Sequence, residues 1–238
     1  MIQGAHWLPE VLAAILAAVV AITLHEAAHG YAALAMGDTT ARDQGRLSLN
    51  PWRHVDDMGT LIVPGLLLIV QVLTIGRVEF LFGWAKPVPV DPLAMRNPRS
   101  GMAWVALAGP AMNFALALLA GLSVHLVSAL IWPLSPDSAV VLYRFIWLFI
   151  LSNLVLGLFN LLPIPPLDGG RVVNALLPAR AADMYMRLER WGILLVMLLV
   201  FVLPRLTHGI DPVGWLLQSV LGKAIRFVIW ATGNGAMP

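Results

Sequence analysis

The chain alternates between long apolar runs and short polar connections. Stretches at about 8–35, 101–132, 139–162 and 188–206 are apolar for long enough to cross a hydrocarbon layer ~30 Å thick. Two weaker stretches occur at 58–75, which holds Pro64 and Gly65, and at 212–231, which holds Lys223 and Arg226. This pattern predicts an all-α polytopic membrane protein with about five to six transmembrane helices. No polar connection has the length of an ordinary soluble domain. Residues 1–238 are therefore expected to form a single membrane-embedded domain, with a core at about 8–175 and extra C-terminal helices at about 176–231.

Composition agrees with the pattern, since 59% of residues are hydrophobic and only 12% are charged, too few to coat a soluble surface. The lipid bilayer is the expected surrounding, and with a net charge of only +2 no nucleic-acid partner is expected. The opening "MIQGAHWLPE" carries no Lys or Arg before the apolar run, so the first helix is expected to be retained rather than removed as a signal. Cysteine is absent, which excludes thiolate metal sites, disulfides and cysteine nucleophiles.

The first apolar run ends in "ITLHEAAHGY". His25 and His29 are four apart, so on a helix both imidazoles project from one face. That spacing lets two neutral ring nitrogens hold one Zn²⁺, and Glu26 beside them can take a proton from water at the metal. The alternative is a polar patch satisfied by hydrogen bonds between helices. Within a membrane segment, however, ionisable groups are costly and need a strong common partner.

Two ligands leave such a site incomplete. A third is available in "NLLPIPPLDGG", where prolines break a membrane helix ahead of Asp168. Asp168 is either the cap of the helix that restarts there or the carboxylate of a two-histidine, one-carboxylate zinc site with an open position. Gly169 and Gly170 permit close backbone approach.

With these residues in place the chain resembles the site-2 proteases, which are intramembrane zinc metalloproteases. The resemblance rests on "HEAAH" (25–29), "GPAMNF" (109–114) and "NLLPIPPLDGG" (160–170), in the family's order. "GRLSLNPWRHVDDMGT" and "FGWAKPVPV" also look like its small bacterial members. It implies that His25, His29 and Asp168 bind one Zn²⁺ and that Glu26 is the catalytic base. It implies further that Asn160 helps hold the substrate, a transmembrane protein, or the transition state, and that Asn113 lines the same cleft. For Asn113 an interhelical hydrogen bond is the alternative. The PDZ insert of some relatives is not expected, because "WPLSPDSAV" is too short to hold it, and neither is a regulatory tail domain.

Metal geometry constrains topology. If the first helix enters near Leu8, His25 lies ~25 Å along it, close to the far face. Asp168 reaches that face only if residues 58–75 dip into the membrane and return, so a re-entrant segment broken around Pro64 and Gly65 is expected. Thirteen of the fifteen Lys and Arg then share one face, with only Arg144 and Arg205 opposite, provided the last segment spans. This count places the N-terminus outside a cell membrane and the zinc near its cytoplasmic face.

"TTARDQGRLSL" reads as a small membrane-associated β-hairpin turning at Asp43-Gln44-Gly45, and "KPVPV" as an extended segment; either edge would suit an unwound substrate strand. His6, His125 and His208 are expected to be packed or interfacial, and His54 to sit in a polar turn. "ARAADMYMRLERWG" looks like a membrane-surface helix. Nothing in the spacing of small residues specifies an oligomeric state. A zinc transporter or a zinc-binding scaffold is the rival reading; unchanged zinc flux after Glu26→Gln would mark the transporter.

Overall fold

A computed structural model of the chain describes residues 7–76, 83–207 and 211–236. Ten helices appear among these residues: α1 (Trp7–Met36), α2 (Thr40–Asp43), α3 (Val63–Ile75), α4 (Pro98–Leu126), α5 (Pro136–Asn160), α6 (Asp168–Leu176), α7 (Ala179–Met186), α8 (Gly192–Met197), α9 (Leu203–Leu206) and α10 (Pro212–Ala231). Five helical runs are long and apolar enough to cross a membrane, namely Pro9–Met36, Asp57–Thr74, Pro98–Ile131, Pro136–Asn160 and Val213–Ala231. The protein is a multi-pass membrane protein. His6 and His208 lie outside the described residues.

Helices α1, α4 and α5 form the centre. Arg96 N–H donates to Met36 O where α1 ends and α4 is about to begin, so the two run antiparallel. Glu10 near the start of α1 pairs with Arg144 near the start of α5, so these two run parallel. Their contact faces are built from small residues, among them Ala17, Ala21, Ala106 and Ala117, each fully buried. Small side chains let helix backbones approach closely where no water drives association. Leu12, Leu16, Leu119 and Leu126 stay exposed on the outer faces, as lipid-facing positions should.

The stretch at 188–206 is helical but irregular: a 3₁₀ turn (Arg187–Trp191) leads into α8, a wide π-type turn (Leu198–Val202) and α9. Helix α10 packs on α5 and α4, with Val228 buried in the cluster of Ala117, Ala120, Ile150 and Leu154. Its C-terminal end is held at the far end of α4, where a ring nitrogen of His125 meets Thr232 O at 2.6 Å and Asn234 Nδ2 donates to Gly121 O. Arg226 therefore lies towards that end. Lys223 and Arg226 do not return to the end where α1 finishes, as the count of positive charges had assumed.

Two sequence expectations fail in the connection between α1 and α4. No β-hairpin forms at residues 39–49, and no strand exists among the described residues. Instead Asp38 Oδ1 accepts from Thr40 N–H at 2.9 Å and Arg46 N–H closes back on Ala41 O, which winds residues 40–43 into the helical turn α2. The expected break at Pro64 and Gly65 is also absent. Wide π-type turns over Asp57–Ile62 lead without interruption into α3. Pro64 lies inside this run, where the π-type turns give way to α3, and the helix continues through it. A re-entrant break is thus not part of this helix.

The chain after α3 returns to the base of that run. Trp84 N–H donates to Gly59 O, Thr60 Oγ1 to Trp84 O, and Lys86 N–H to His54 O. Gly59 and Gly83 are both needed there, since a methyl on Gly59 would collide with the Trp84 ring and one on Gly83 with Gly59 O. Residues 84–91 form no regular secondary structure; Pro87 and Pro89 bias the residues before them to extended backbone, and Asp91 is extended. His54 is buried with Nε2 on Ser48 O, and Asp56 caps Gly59 N–H, so this histidine belongs to a structural turn.

Asp38 fixes the end of the segment. Helix α1 stops at Gly37, whose φ of +107 suits glycine, with Gly37 N–H on Leu34 O and Asp38 N–H on Ala33 O. The buried Asp38 carboxylate then accepts from Thr40 N–H and, through Oδ2, from Asp91 N–H at 2.7 Å. Burial alone would raise its pKa, but the hydrogen bonds from Thr40 and Asp91 outweigh it and hold the group below the ordinary carboxylate value. Replacing Asp38 by Ala is expected to cost about 1–3 kcal/mol of stability, read from unfolding in detergent. Because the folded pKa is depressed, the wild-type advantage is full above the unfolded carboxylate pKa and disappears as pH falls through the folded value.

Candidate active site

The site begins one turn from the end of α1's buried stripe. His25 and His29 are 5% and 8% exposed, with rings 4.6 Å apart in a T-shaped arrangement. Asp168, 6% exposed, is the first residue of α6 and caps nothing; Leu167 holds the cap position. The cap reading of Asp168 is therefore excluded, and its side chain turns to the histidines instead. Asp168 Oδ2 lies 3.2 Å from His25 Nε2 and 3.3 Å from His29 Nε2, and the two Nε2 atoms are 3.0 Å apart.

The chemistry of these three atoms fits a metal. A tetrahedral Zn²⁺ with bonds of ~2.0–2.1 Å separates its ligands by about 3.3 Å, close to the spacing seen. Both Nδ1–H groups are already committed, His25 to Asn113 Oδ1 at 2.6 Å and His29 to Val105 O at 2.7 Å. Each Nε2 then presents a lone pair. Asp168 Oδ2 is buried and accepts no hydrogen bond. Three electron-rich atoms facing one point without a proton between them need a cation.

Local sequence explains how the groups meet. Gly109 of α4 lies directly against the site, where an added methyl would stand 2.5 Å from His29 Nε2 and 2.6 Å from His25 Cε1. Pro110 follows it, fully buried within the helix, and removes the N–H that would close on Ala106. Methyl groups on Gly169 or Gly170 would strike the backbone at Leu161 and Pro165, so the diglycine lets α6 start tight against the proline turn.

The other expected residues divide. Glu26 is half-buried on α1, and its Oε2 accepts from Val88 N–H at 3.1 Å, which ties the carboxylate to the 84–91 segment. Glu26 Oε1 makes no hydrogen bond among the described residues. Asn113 does not line a cleft: it is fully buried and holds His25, as the interhelical alternative had it. Asn160 ends α5 and donates through Nδ2 to Leu156 O, and among the described residues no hydrogen bond joins it to His25, His29 or Asp168. Sequence reasoning missed Asn153, which is fully buried on α5 and accepts through Oδ1 from Asn113 Nδ2 at 2.9 Å. A single amide inside "LSNLVLG" was the available signal.

Comparison with known proteins bears on this geometry. The profile of peptidase family M50 matches residues 127–203, the portion that contains Asp168. YwhC of Bacillus subtilis is 38% identical over 186 residues, covering 78% of each protein. The chain belongs to peptidase family M50. Rip2 of Mycolicibacterium smegmatis is 32% identical to this M50 peptidase over 180 residues, 75% of the chain and 62% of the relative. Both relatives carry the provisional name of zinc metalloprotease. The zinc metalloprotease MJ0392 of Methanocaldococcus jannaschii matches over 92 residues at 33% identity, 38% of the chain and 24% of the relative. No solved structure matches significantly. As an M50 member the protein is a zinc metallopeptidase of the site-2 type.

Gly109→Ala tests the tightness of the site. The added methyl has no room beside two imidazoles, so bound zinc is expected to fall from one per chain to a small fraction, measured by metal analysis of the purified protein.

Proposed function

We propose that this M50 peptidase hydrolyses peptide bonds in or near the transmembrane segments of membrane proteins, with His25, His29 and Asp168 as the zinc ligands and Glu26 as the base. The observation that carries this reading is the convergence of two Nε2 lone pairs and one orphaned carboxylate oxygen beside an H-E-x-x-H glutamate. When bound, Zn²⁺ lowers the pKa of a coordinated water towards ~7 and polarises a carbonyl.

The chain's own groups supply the remainder. Glu26 takes the proton of the attacking water through its free Oε1 while Val88 N–H steadies Oε2, and it passes that proton to the leaving amine. His25 and His29 keep their protons on Nδ1, facing Asn113 and Val105 and away from the reacting atoms. Asn160 is the candidate substrate contact, because its Oδ1 accepts no hydrogen bond among the described residues and can receive a substrate N–H. Residues 1–238 act as one membrane-embedded unit.

The proposed orientation puts the N-terminus outside and the site near the cytoplasmic face. Arg46, Lys86, Arg96, Arg99 and Arg171 all lie at the end where α1 finishes and α4 begins, whereas Arg144 lies at the other, beside Glu10.

The test compares full-length membrane proteins in host cells expressing wild type or Glu26→Gln. Glu26→Gln is expected to retain zinc and to lose proteolysis by at least about 10²-fold. Membrane proteins that accumulate only with the variant, and are shortened near a transmembrane segment by the wild type, name the substrates. An unchanged set across several stress conditions, with zinc still bound, would count against intramembrane proteolysis.

A further inference from the structure

His29 and His25 are held differently. His29 gives its Nδ1–H to a backbone carbonyl, Val105 O, which can only accept. That contact alone decides which nitrogen carries the proton. His25 gives its Nδ1–H to a side-chain amide, Asn113 Oδ1, and an amide has two ends of nearly equal shape. Turned over, Asn113 would present its NH₂ to His25 Nδ1. The ring would then carry its proton on Nε2, the atom that faces His29 and Asp168, and could no longer serve as a ligand.

Two acceptors oppose that turn. Asn113 Nδ2 donates to Asn153 Oδ1 at 2.9 Å and, more weakly, to Ala21 O at 3.3 Å. Asn153 is an amide as well, and its own sense is set by Nδ2 donating to Phe149 O at 2.9 Å, again a carbonyl that only accepts. Polarity thus runs in one direction, from the Phe149 carbonyl through Asn153 and Asn113 to the imidazole. Both asparagines are fully buried, so water does not substitute for either. A bond made merely to join helices would have no need of this sense.

We infer that Asn153 is a positioning residue of the metal site: acting through Asn113, it fixes the proton of His25 on Nδ1 and keeps Nε2 available as a ligand. The inference rests on the reading of His25, His29 and Asp168 as metal ligands.

The experiment measures zinc affinity by chelator competition on purified full-length protein in detergent, together with the ¹⁵N signature of the His25 tautomer in metal-free protein. Asn153→Leu removes the acceptor and is expected to weaken zinc binding 10–100-fold and to mix the tautomers. Adding Asn113→Asp, which has no N–H to present, makes Asn153 dispensable; the double variant is expected to return to within about threefold of wild type with His25 protonated on Nδ1. Wild-type affinity in Asn153→Leu overturns the inference, as does failure of the double variant to recover. Should Asn153→Leu alone not fold, the double variant decides the matter. If wild type binds no zinc, the metal reading fails and takes the inference with it, whereas zinc bound without proteolysis leaves the inference standing and removes only the peptidase reading.

Discussion

Three electron-rich atoms share one small volume inside this protein, and much of the architecture serves to keep them there. Two imidazole nitrogens and a carboxylate oxygen at 3.0–3.3 Å repel one another unless a cation sits between them. Left to themselves the side chains would swing apart. They do not, because α1 and α4 meet through glycine and alanine, and because each imidazole is gripped from behind by an acceptor on α4. The third atom arrives on α6, whose two opening glycines let it start hard against a proline turn. At membrane depth no solvent repairs a missing contact, so each polar group near the site must find its partner within the chain.

This explains which parts of the site were legible in the sequence. His25, Glu26 and His29 announce themselves because helix periodicity places i and i+4 on one face, a relation contained in five residues. Asp168 was legible only through its company, since by itself it could have capped a helix. The amide of Asn153 could not be assigned: its meaning depends on a neighbour 40 positions away, and an isolated asparagine in an apolar helix reads equally well as interhelical glue. Asn113 was visible as part of a motif, with a cleft wall and an interhelical hydrogen bond both open, and its bond to His25 is of the second kind.

The helical content of the fold followed from hydropathy, and the departures came where single side chains overrode it. Residues 39–49 carry turn-formers and β-formers in a hairpin-like order, yet the Asp38 carboxylate captures Thr40 N–H and winds the next residues into a helix. Pro64 and Gly65 look like a break when counted as residues, but they fall where π-type turns give way to α3 and the helix continues. Charge counting placed Lys223 and Arg226 with the other positive residues, whereas contacts at Thr232 and Asn234 hold the end of α10 against the far end of α4.

The segment from Lys86 to Asp91 is fastened to four residues: to His54 O, to the Arg46 guanidinium, to the Glu26 carboxylate and to the Asp38 carboxylate. Its prolines stiffen the spans between those fastenings. One of these fastenings is the proposed base itself. Any movement of Val88 away from α1 would therefore also free one oxygen of the proposed base.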